Sequence, residues 1–521
     1  MKKIQDFRIP YEPDPDLRLA VAAHLGLDPG QIDEIRVLKR SLDARQRGRL
    51  AWVYSLEIYF AGEEPEKNFE PFPRFDWRGP PPLILGAGPA GLFAAWTFLA
   101  HGIKPILFER GERTHDRMLK ISRYWRRGEL DPDSNVCNGE GGAGTFSDGK
   151  LITRIKSPLI PRVMQALVDY GAPPEISYVY NPHVGSNLIR EVIKRMSDDL
   201  IARGAELRFG TRVEALELEG KRLRGVRLHD GSVVDGAGLI LACGHSAGDF
   251  FLRLREQGVG FEPKPFALGL RIEHSQSAID RWQYGEHCDL PGLETAQYKW
   301  QSQGIEAKLG VYTFCMCPGG YVISSSTDPS SIVVNGMSNY HRNSPWANAA
   351  VVCTVPAEKV PGEEVFRLKD FQAGIERRVF EASRSRGEAR RIPAQHLGDF
   401  MAGREGKIAV KSSCPSGVVA ADLSKLLPDW IVASLRRGFQ DLESRRPGFA
   451  QAEALLHAVE SRTSSPLRIP RDPETMEALT MGGLFPCGEG PGYAGGITSA
   501  AVDGMKAALA WIRKNGPCRT L

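Results

Sequence analysis

The chain has 521 residues, 42% hydrophobic and 25% charged, which excludes a wholly disordered protein and supplies core material for roughly three or four domain-sized units. Lys and Arg number 67 against 63 Asp and Glu, a net charge of +4, too small a surplus for a dedicated polyanion binder. Nine cysteines without a CxxC pair or four-ligand spacing argue against a disulfide scaffold or metal site and fit a reducing cytoplasm.

The first residues, MKKIQDFRIPYEPDPD, carry two lysines with no apolar stretch behind them, so no signal peptide is expected. Residues 1–78 read as a small α+β domain: Asp16 to Leu25 has helical periodicity, while Ile32 to Leu38 and Trp52 to Phe60 alternate as strands. Glu63 to Pro82 reads as a linker. The uncharged run Leu83 to Ala100 is long enough for a membrane helix, but Gly86, Gly88, Pro89 and Gly91 would break it near its start. A buried strand, a tight turn and a buried helix account for it better. A second strand at Pro105 to Phe108, a helix over Thr114 to Arg127 and a Gly-rich loop, NVCNGEGGAGTFSDGK, follow. Helices are expected at about 158–170 and 186–203, then short strands at Glu206–Phe209, Arg212–Leu218, Gly225–His229 and Ser232–Val234. Gly238 to Ala242 is another buried strand. Residues 266–395 mix strand-like runs (Gly320–Ser325, Ile332–Val334) with a charged helix at about 363–385. The last 60 or so residues return to strand, Gly-rich turn and helix in LTMGGLFPCGEGPGYAGGITSAAVDGMKAALAWI. The expected architecture is α/β: a discontinuous Rossmann-like domain over 79–265 and 396–521, an inserted α+β substrate or cap domain over 266–395, and the small N-terminal α+β domain.

GAGPAG at 86–91 matches GxGxxG, follows a strand, opens a helix and precedes an acid, Glu109, at the end of the next strand. Gly86 permits the tight turn, Gly88 lets the backbone approach a pyrophosphate, and Gly91 allows close helix–strand packing. The helix start at Pro89, Ala90 and Gly91 offers N–H groups and a positive dipole end. Glu109 is the expected acceptor for an adenosine ribose. A second motif decides between NAD and FAD. PCGEG with a Gly-rich turn and a long helix sets Gly488, Glu489 and the amides of Gly495, Gly496, Ile497 and Thr498 on one ligand. A ribityl chain and flavin ring need this second region; NAD does not. Glu489 then accepts from a ribityl hydroxyl, and the Gly495–Thr498 amides face the flavin pyrimidine, where reduction develops negative charge.

The motifs GAGPAGLFAA with FERG, NGEGGAGTFSDGKL, NPHVGSN, ACGHSA, KPFALGLRIEH, TFCMCPGGYV, NGMSNYHR, TSSPLRIPRD and PCGEGPGYAGGITSAAVDG run from about 83 to 513. Together they resemble the one-Rossmann flavoprotein superfamily with a glutathione reductase-like FAD domain, and within it a bacterial family of uncharacterised FAD-dependent dehydrogenases. The resemblance implies non-covalent FAD, an inserted second domain and redox chemistry, and no particular substrate. In such a fold Glu109 and Arg110 lie at the cofactor, and the loop Asn138 to Lys150 covers its flavin side. Gly141, Gly142, Gly144, the Thr145 and Ser147 hydroxyls and Lys150 are then expected to meet it. Val213 marks the strand where adenine is held by backbone, and Ala242, Cys243 and Gly244 form the turn that brings the chain back to FAD.

The reacting group is less legible. Cys315 and Cys317 alternate onto one strand face, either as a thiol pair beside the flavin or as buried apolar thiols. His245 follows the ACG turn, and Tyr493 stands between glycines at the flavin turn. These four are the catalytic candidates. Tyr340, His341 and Arg342 are the substrate-binding candidates, Arg342 for a carboxylate. No second GxGxxG follows a strand between 150 and 480, so a separate NAD(P)H domain is not expected, and transient NADH or NADPH docking is left open. Basic clusters at 123–129, 384–393 and 435–448 carry interleaved acids and read as solvated helix faces rather than a nucleic-acid surface. The expected function is hydride transfer between a small-molecule substrate and flavin N5. A non-catalytic flavin redox sensor and an FAD-dependent tRNA-modifying enzyme are the alternatives.

Overall fold

The computed structural model describes residues 1–45, 49–64, 69–450 and 453–516; Cys518 and part of the expected linker lie outside them. The chain opens with an antiparallel three-stranded sheet in the order Lys2–Pro10, Ala51–Phe60, Ile32–Asp43. The helix Leu17–Leu25 closes one face of it. Asp16 caps the helix by accepting from the Leu19 amide, and Gly26 ends it in the left-handed region at φ 68°. Val21, Ala22, Trp52, Tyr54, Leu56 and Ile58 form the core of this unit. Its strand Ile32–Asp43 is tied to the next domain by two backbone bonds of 2.8 Å between Arg40 and residues Tyr178 and Tyr180.

A parallel five-stranded sheet follows, in the order Leu484–Pro486, Leu239–Leu241, Leu83–Leu85, Ile106–Phe108, Glu206–Arg208. Its central strands are short apolar triplets buried on both faces, as strands covered by helices must be. The helix Pro89–Ala100 is buried on nearly every side and lies against Ile497–Asn515, which explains the uncharged run from Leu83 to Ala100. Among the described residues no helix is long and apolar enough to cross a membrane. From Leu83–Leu85 the chain winds outward one way and later returns on the other side through Leu239–Leu241. That switch point is where open α/β sheets bind ligands, beyond the carboxyl ends of the strands. An antiparallel meander, Val213–Glu219, Arg222–Leu228 and Val233–Asp235, hangs off the last parallel strand.

The inserted domain is built on a seven-stranded sheet in the order Gln301–Gln303, Gly310–Cys317, Trp346–Val355, Phe266–Ser275, Leu455–Glu460, Ile392–His396, Val418–Ala420. Helices Arg367–Arg384 and Asp429–Arg445 contribute to its core. The expected boundary at 395 is therefore corrected to about 460. Leu455–Glu460 pairs with Phe266–Ser275, and Val418–Ala420 extends the same sheet. The strand–helix–strand texture of 396–460 reads like a Rossmann segment, yet these strands bury their side chains in the inserted core. A hairpin, Gly320–Ser324 with Val334–Ser338, packs Ile323 against Ile121, Trp125, Val136 and Phe146 and so joins the two domains.

Candidate functional site

The Gly86–Gly91 turn sits at the switch point, and its three glycines serve different ends. Gly86 has φ 105°, and a Cβ there would come within 2.4 Å of the Ala242 carbonyl oxygen. A Cβ on Gly91 would lie 1.8 Å from the Gly86 carbonyl oxygen. Both are packing requirements. Gly88 has no protein atom within 4 Å of where its Cβ would stand, and it begins the helix Pro89–Ala100 without a side-chain cap. The Ala90 and Gly91 amides lack intrahelical partners by helix geometry, and the space in front of Gly88 is open.

Glu109 ends the neighbouring strand as expected, but it is not simply waiting for a ribose. Its Oε2 accepts from the Ala87 amide at 2.8 Å, and its Oε1 accepts from the Gly111 and Gly139 amides at 2.9 Å each. Three of about four acceptor positions are used to knit three turns together, leaving one for a ligand hydroxyl. Arg110, expected at the cofactor, is instead held by Asp133 and Asp249. Val213 is buried, two residues after Thr211, whose amide donates to the Glu109 carbonyl at 2.9 Å.

The Gly-rich loop lies directly on this turn. The Gly141 amide donates to the Ala87 carbonyl at 2.8 Å, and a Cβ on Gly142 would touch the Gly88 Cα at 3.1 Å. A Cβ on Gly144 would meet the Ile497 side chain at 3.1 Å, so the loop also reaches the last helix. The Thr145 and Ser147 hydroxyls, expected to meet the cofactor, turn inward instead. Thr145 donates to the Gly142 carbonyl at 2.7 Å, and Ser147 donates to the Gly144 carbonyl at 2.8 Å. Small hydroxyls in a Gly-rich loop are recruited by the carbonyls that the loop leaves unpaired.

Arg117 carries this loop and was missed in the sequence. It is fully buried, and its guanidinium donates to the carbonyls of Asn135, Val136, Glu140 and Gly142 and to the Thr145 hydroxyl at 2.7–2.9 Å. Burial lowers it to about 10. The readable signal was its register: Arg117, Ile121 and Trp125 repeat every four residues on the buried face of the helix Thr114–Arg127.

On the other side, the turns after Leu239–Leu241 and Leu484–Pro486 touch, since a Cβ on Gly490 would lie 2.2 Å from the Gly244 carbonyl oxygen. Gly244 and Gly495 each have nothing within 4 Å of their Cβ positions. The helix Ile497–Asn515 starts at Gly496 without a side-chain cap, and the Gly488 amide is fixed by Asp503 at 2.8 Å. The Thr498 hydroxyl is spent on the Leu151 carbonyl at 2.6 Å, which leaves its amide as the available group. Tyr493, a catalytic candidate, is corrected to a structural role. Its hydroxyl donates to the Ile469 carbonyl and accepts from the Arg471 amide, and its ring lies 3.6 Å from the Arg471 guanidinium.

Glu489 and His245 face each other in this crevice, His245 Nδ1 standing 3.7 Å from Glu489 Oε2. Burial, with the charges of Arg462 and Lys369, pushes His245 down to about 3, so its imidazole is neutral. Burial raises Glu489 to about 7, against the opposing charge of Lys264. Folding therefore takes up a proton at Glu489 between its ordinary 4.5 and about 7, and stability falls as pH rises across that window. In cofactor-stripped protein, Glu489→Gln is expected to be more stable than its parent at about pH 8, by on the order of 2–3 kcal/mol. Urea unfolding should show that gap closing as the pH is lowered to about 5.

The inserted domain presents the thiols, and here the expectation of one shared face is corrected. The ladder steps from Phe314↔Ala350 to Cys317↔Asn348, so the strand carries one extra residue. Cys315 takes φ 41° and is exposed, while Cys317 is buried. The fully buried Arg271, paired with Glu460, donates to the Cys315 carbonyl at 3.2 Å and fixes the bulge. Desolvation by the groups around Cys315 pushes its thiol up to about 12. Arg342 is also corrected: it is buried and binds Asp148 through Nε at 3.1 Å and Nη2, so it is not free for a substrate carboxylate. Tyr340 bonds through its hydroxyl to Glu175 and packs on His183, while His341 is exposed. Among the described residues no cluster of His, Cys, Asp and Glu is suited to a metal ion.

A family model described as FAD-dependent protein, C-terminal domain-like, matches residues 265–463, closely the span of the seven-stranded sheet. Residues 1–59 match a domain of unknown function (DUF8436). An uncharacterized protein of Clostridium beijerinckii is 36% identical over 521 residues, covering 96% of this chain and 97% of that protein. Among solved structures, the flavin-dependent brominase Bmp2 is similar at 12% identity and TM-score 0.37, covering 84% of this chain and 80% of its own. A geranylgeranyl bacteriochlorophyll reductase-like protein of Thermoplasma acidophilum is similar at 12% identity and TM-score 0.35, covering 84% and 79%. CtdE in complex with FAD is similar at 14% identity and TM-score 0.32, covering 83% and 84%. Likenesses of that size do not bear on the reaction.

Proposed function

The chain belongs to the same family as the uncharacterized Clostridium protein, and from that premise, with its FAD-dependent C-terminal-type domain, we propose that it is an FAD-dependent oxidoreductase acting on a small molecule. The observation that carries this reading is the distribution of open glycines. Gly88, Gly244 and Gly495 leave free space around one crevice at the switch point, while Gly86, Gly91 and Gly490 are needed for packing. A long dinucleotide fits a crevice with uncapped helix starts at two separated places. The Ala90 and Gly91 amides would hold a pyrophosphate, the remaining acceptor of Glu109 a ribose hydroxyl, and Glu489 a ribityl hydroxyl. The Gly495–Thr498 end of the last helix would stabilise negative charge on a ring edge.

FAD bound there supplies two-electron redox chemistry. The chain's own contribution is binding, orientation and proton handling. A neutral His245 can donate or accept a hydrogen bond, and Glu489, raised to about 7, can take up or release a proton near neutral pH. Cys315 is exposed on the inserted sheet, within the field of the Lys150 charge. The test is the visible spectrum of the purified protein during anaerobic addition of NADH and then NADPH. A flavin band is expected. Rapid bleaching by one donor assigns a nicotinamide reductant, and persistence assigns reduction to the protein's own substrate. No flavin band, even after FAD is added, overturns the proposal.

A further inference from the structure

Lys150 ends the Gly-rich loop and forms an isolated antiparallel bridge with His183. Its ammonium is buried and has no hydrogen-bond partner among the described residues. The acid beside it is Asp148, with Oδ2 3.6 Å away. That carboxylate is already held, by Arg342 on both oxygens and by the Ser338 hydroxyl. Two cations therefore share one carboxylate, and the three donors of Lys150 serve no acceptor. An ammonium without a hydrogen bond, whose one acidic neighbour is already neutralised by Arg342, is poorly compensated, and an anion arriving from outside would relieve it.

The surroundings of Lys150 point the same way. Its charge acts on both Cys315 and Cys317. The adjacent Leu151 is tied by its carbonyl to Thr498, on the first turn of the helix Ile497–Asn515. Lys150 thus stands at the seam between the cofactor crevice and the inserted sheet. Across the seam, Trp300 and Thr313 exchange bonds of 3.0 Å, which sets Lys299 beside Phe314, one residue from Cys315. Partial desolvation and then the like charges of Lys150 and Arg154 push the ammonium of the exposed Lys299 below its ordinary range. The acid acting on Cys315 is Glu460, which Arg271 already binds.

We propose that this mouth recognises an anionic group of the substrate, a carboxylate or a phosphate, with Lys150 at its floor and Lys299 and Arg154 at its rim. The cofactor's own pyrophosphate does not account for the cluster, because its cradle is the start of the helix Pro89–Ala100 at the sheet edge. Calling the anion a substrate rests on the redox reading; the cation cluster does not.

Calorimetric titration of the protein as isolated, with succinate and separately with inorganic phosphate at constant ionic strength, tests it. Saturable binding of at least one probe is expected, weakened about tenfold or more by Lys150→Met, the scale of a lost charge-assisted bond, and partly restored in Lys150→Arg. Lys299→Gln, at an exposed position, should weaken it by a smaller factor, and decides the matter should Lys150→Met fail to fold. The probe that binds names the group. Heats equal to dilution for both probes, or an affinity indifferent to these substitutions, overturn the proposal. The flavin band of the same samples is read separately: anion binding by a protein that takes up no FAD would sink the redox reading and leave the anion site standing.

Discussion

Gly88→Leu is expected to fold normally and to lose FAD affinity by at least about 100-fold, the largest functional effect of any single change in the crevice. Gly88 has φ −75° and ψ −179°, extended backbone that any residue adopts, so leucine brings no strain. Nothing lies within 4 Å of the new Cβ, so the first side-chain atom displaces no protein atom. The side chain instead fills the space in front of the Ala90 and Gly91 amides, where a pyrophosphate must sit. Losing charge-assisted bonds to two amides is worth roughly 3 kcal/mol or more, which is where the hundredfold comes from. Gly91→Ala is the control of opposite kind. Its Cβ would stand 1.8 Å from the Gly86 carbonyl oxygen, and the backbone has to shift at a cost of about 3 kcal/mol or more. Thermal unfolding with and without added FAD separates the two. Gly88→Leu should match the cofactor-free parent and show no rise with FAD, whereas Gly91→Ala should melt early in both conditions. A fully flavinated Gly88→Leu would remove the pyrophosphate assignment.

The same turn shows what was legible in the sequence. A GxGxxG between an apolar triplet and an apolar helix marks a tight strand-to-helix turn, and the strand, turn and helix stand where the pattern put them. What could not be read was which polar groups the fold itself consumes. Glu109, Thr145, Ser147, Tyr493 and Arg342 are residue types that bind ligands, but Glu109, Tyr493 and Arg342 meet partners contributed by distant segments, and Thr145 and Ser147 turn to carbonyls three residues back in their own loop. A one-residue bulge at Cys315 is equally invisible, because strand periodicity carries no mark of where an extra residue is inserted. The inserted domain was cut short for a related reason: Leu455–Glu460 is wholly buried, so it lacks the alternation that would have assigned it to an antiparallel sheet.

Arg117→Met is expected to destabilise the protein by about 4 kcal/mol, the scale for breaking a buried charged network, and to lower FAD affinity with it. Methionine replaces the volume of the side chain but none of its donors. The buried carbonyls of Asn135, Val136 and Glu140 then lose their donor together, and the Gly142 carbonyl and Thr145 hydroxyl keep only the bond between them. The Phe146 ring, 4.7 Å from the guanidinium carbon, loses its cation. Lysine is no remedy, because three donors on a point charge cannot reach five acceptors arranged around a planar fork; Arg117→Lys should therefore lose more than half as much stability as Arg117→Met. The link to function runs through position: the loop that Arg117 holds gives the Gly141 amide to Ala87 and lays Gly142 against Gly88. A loop freed from Arg117 leaves the pyrophosphate cradle with one wall. Urea unfolding measures the first effect. Limited proteolysis between 135 and 147 locates it, since cleavage there in the folded variant, absent from the parent, is what a released loop predicts. Stability and flavin content unchanged in Arg117→Met would mean that the Asn135 and Glu140 side chains, which already bond to neighbouring amides, fix the loop by themselves.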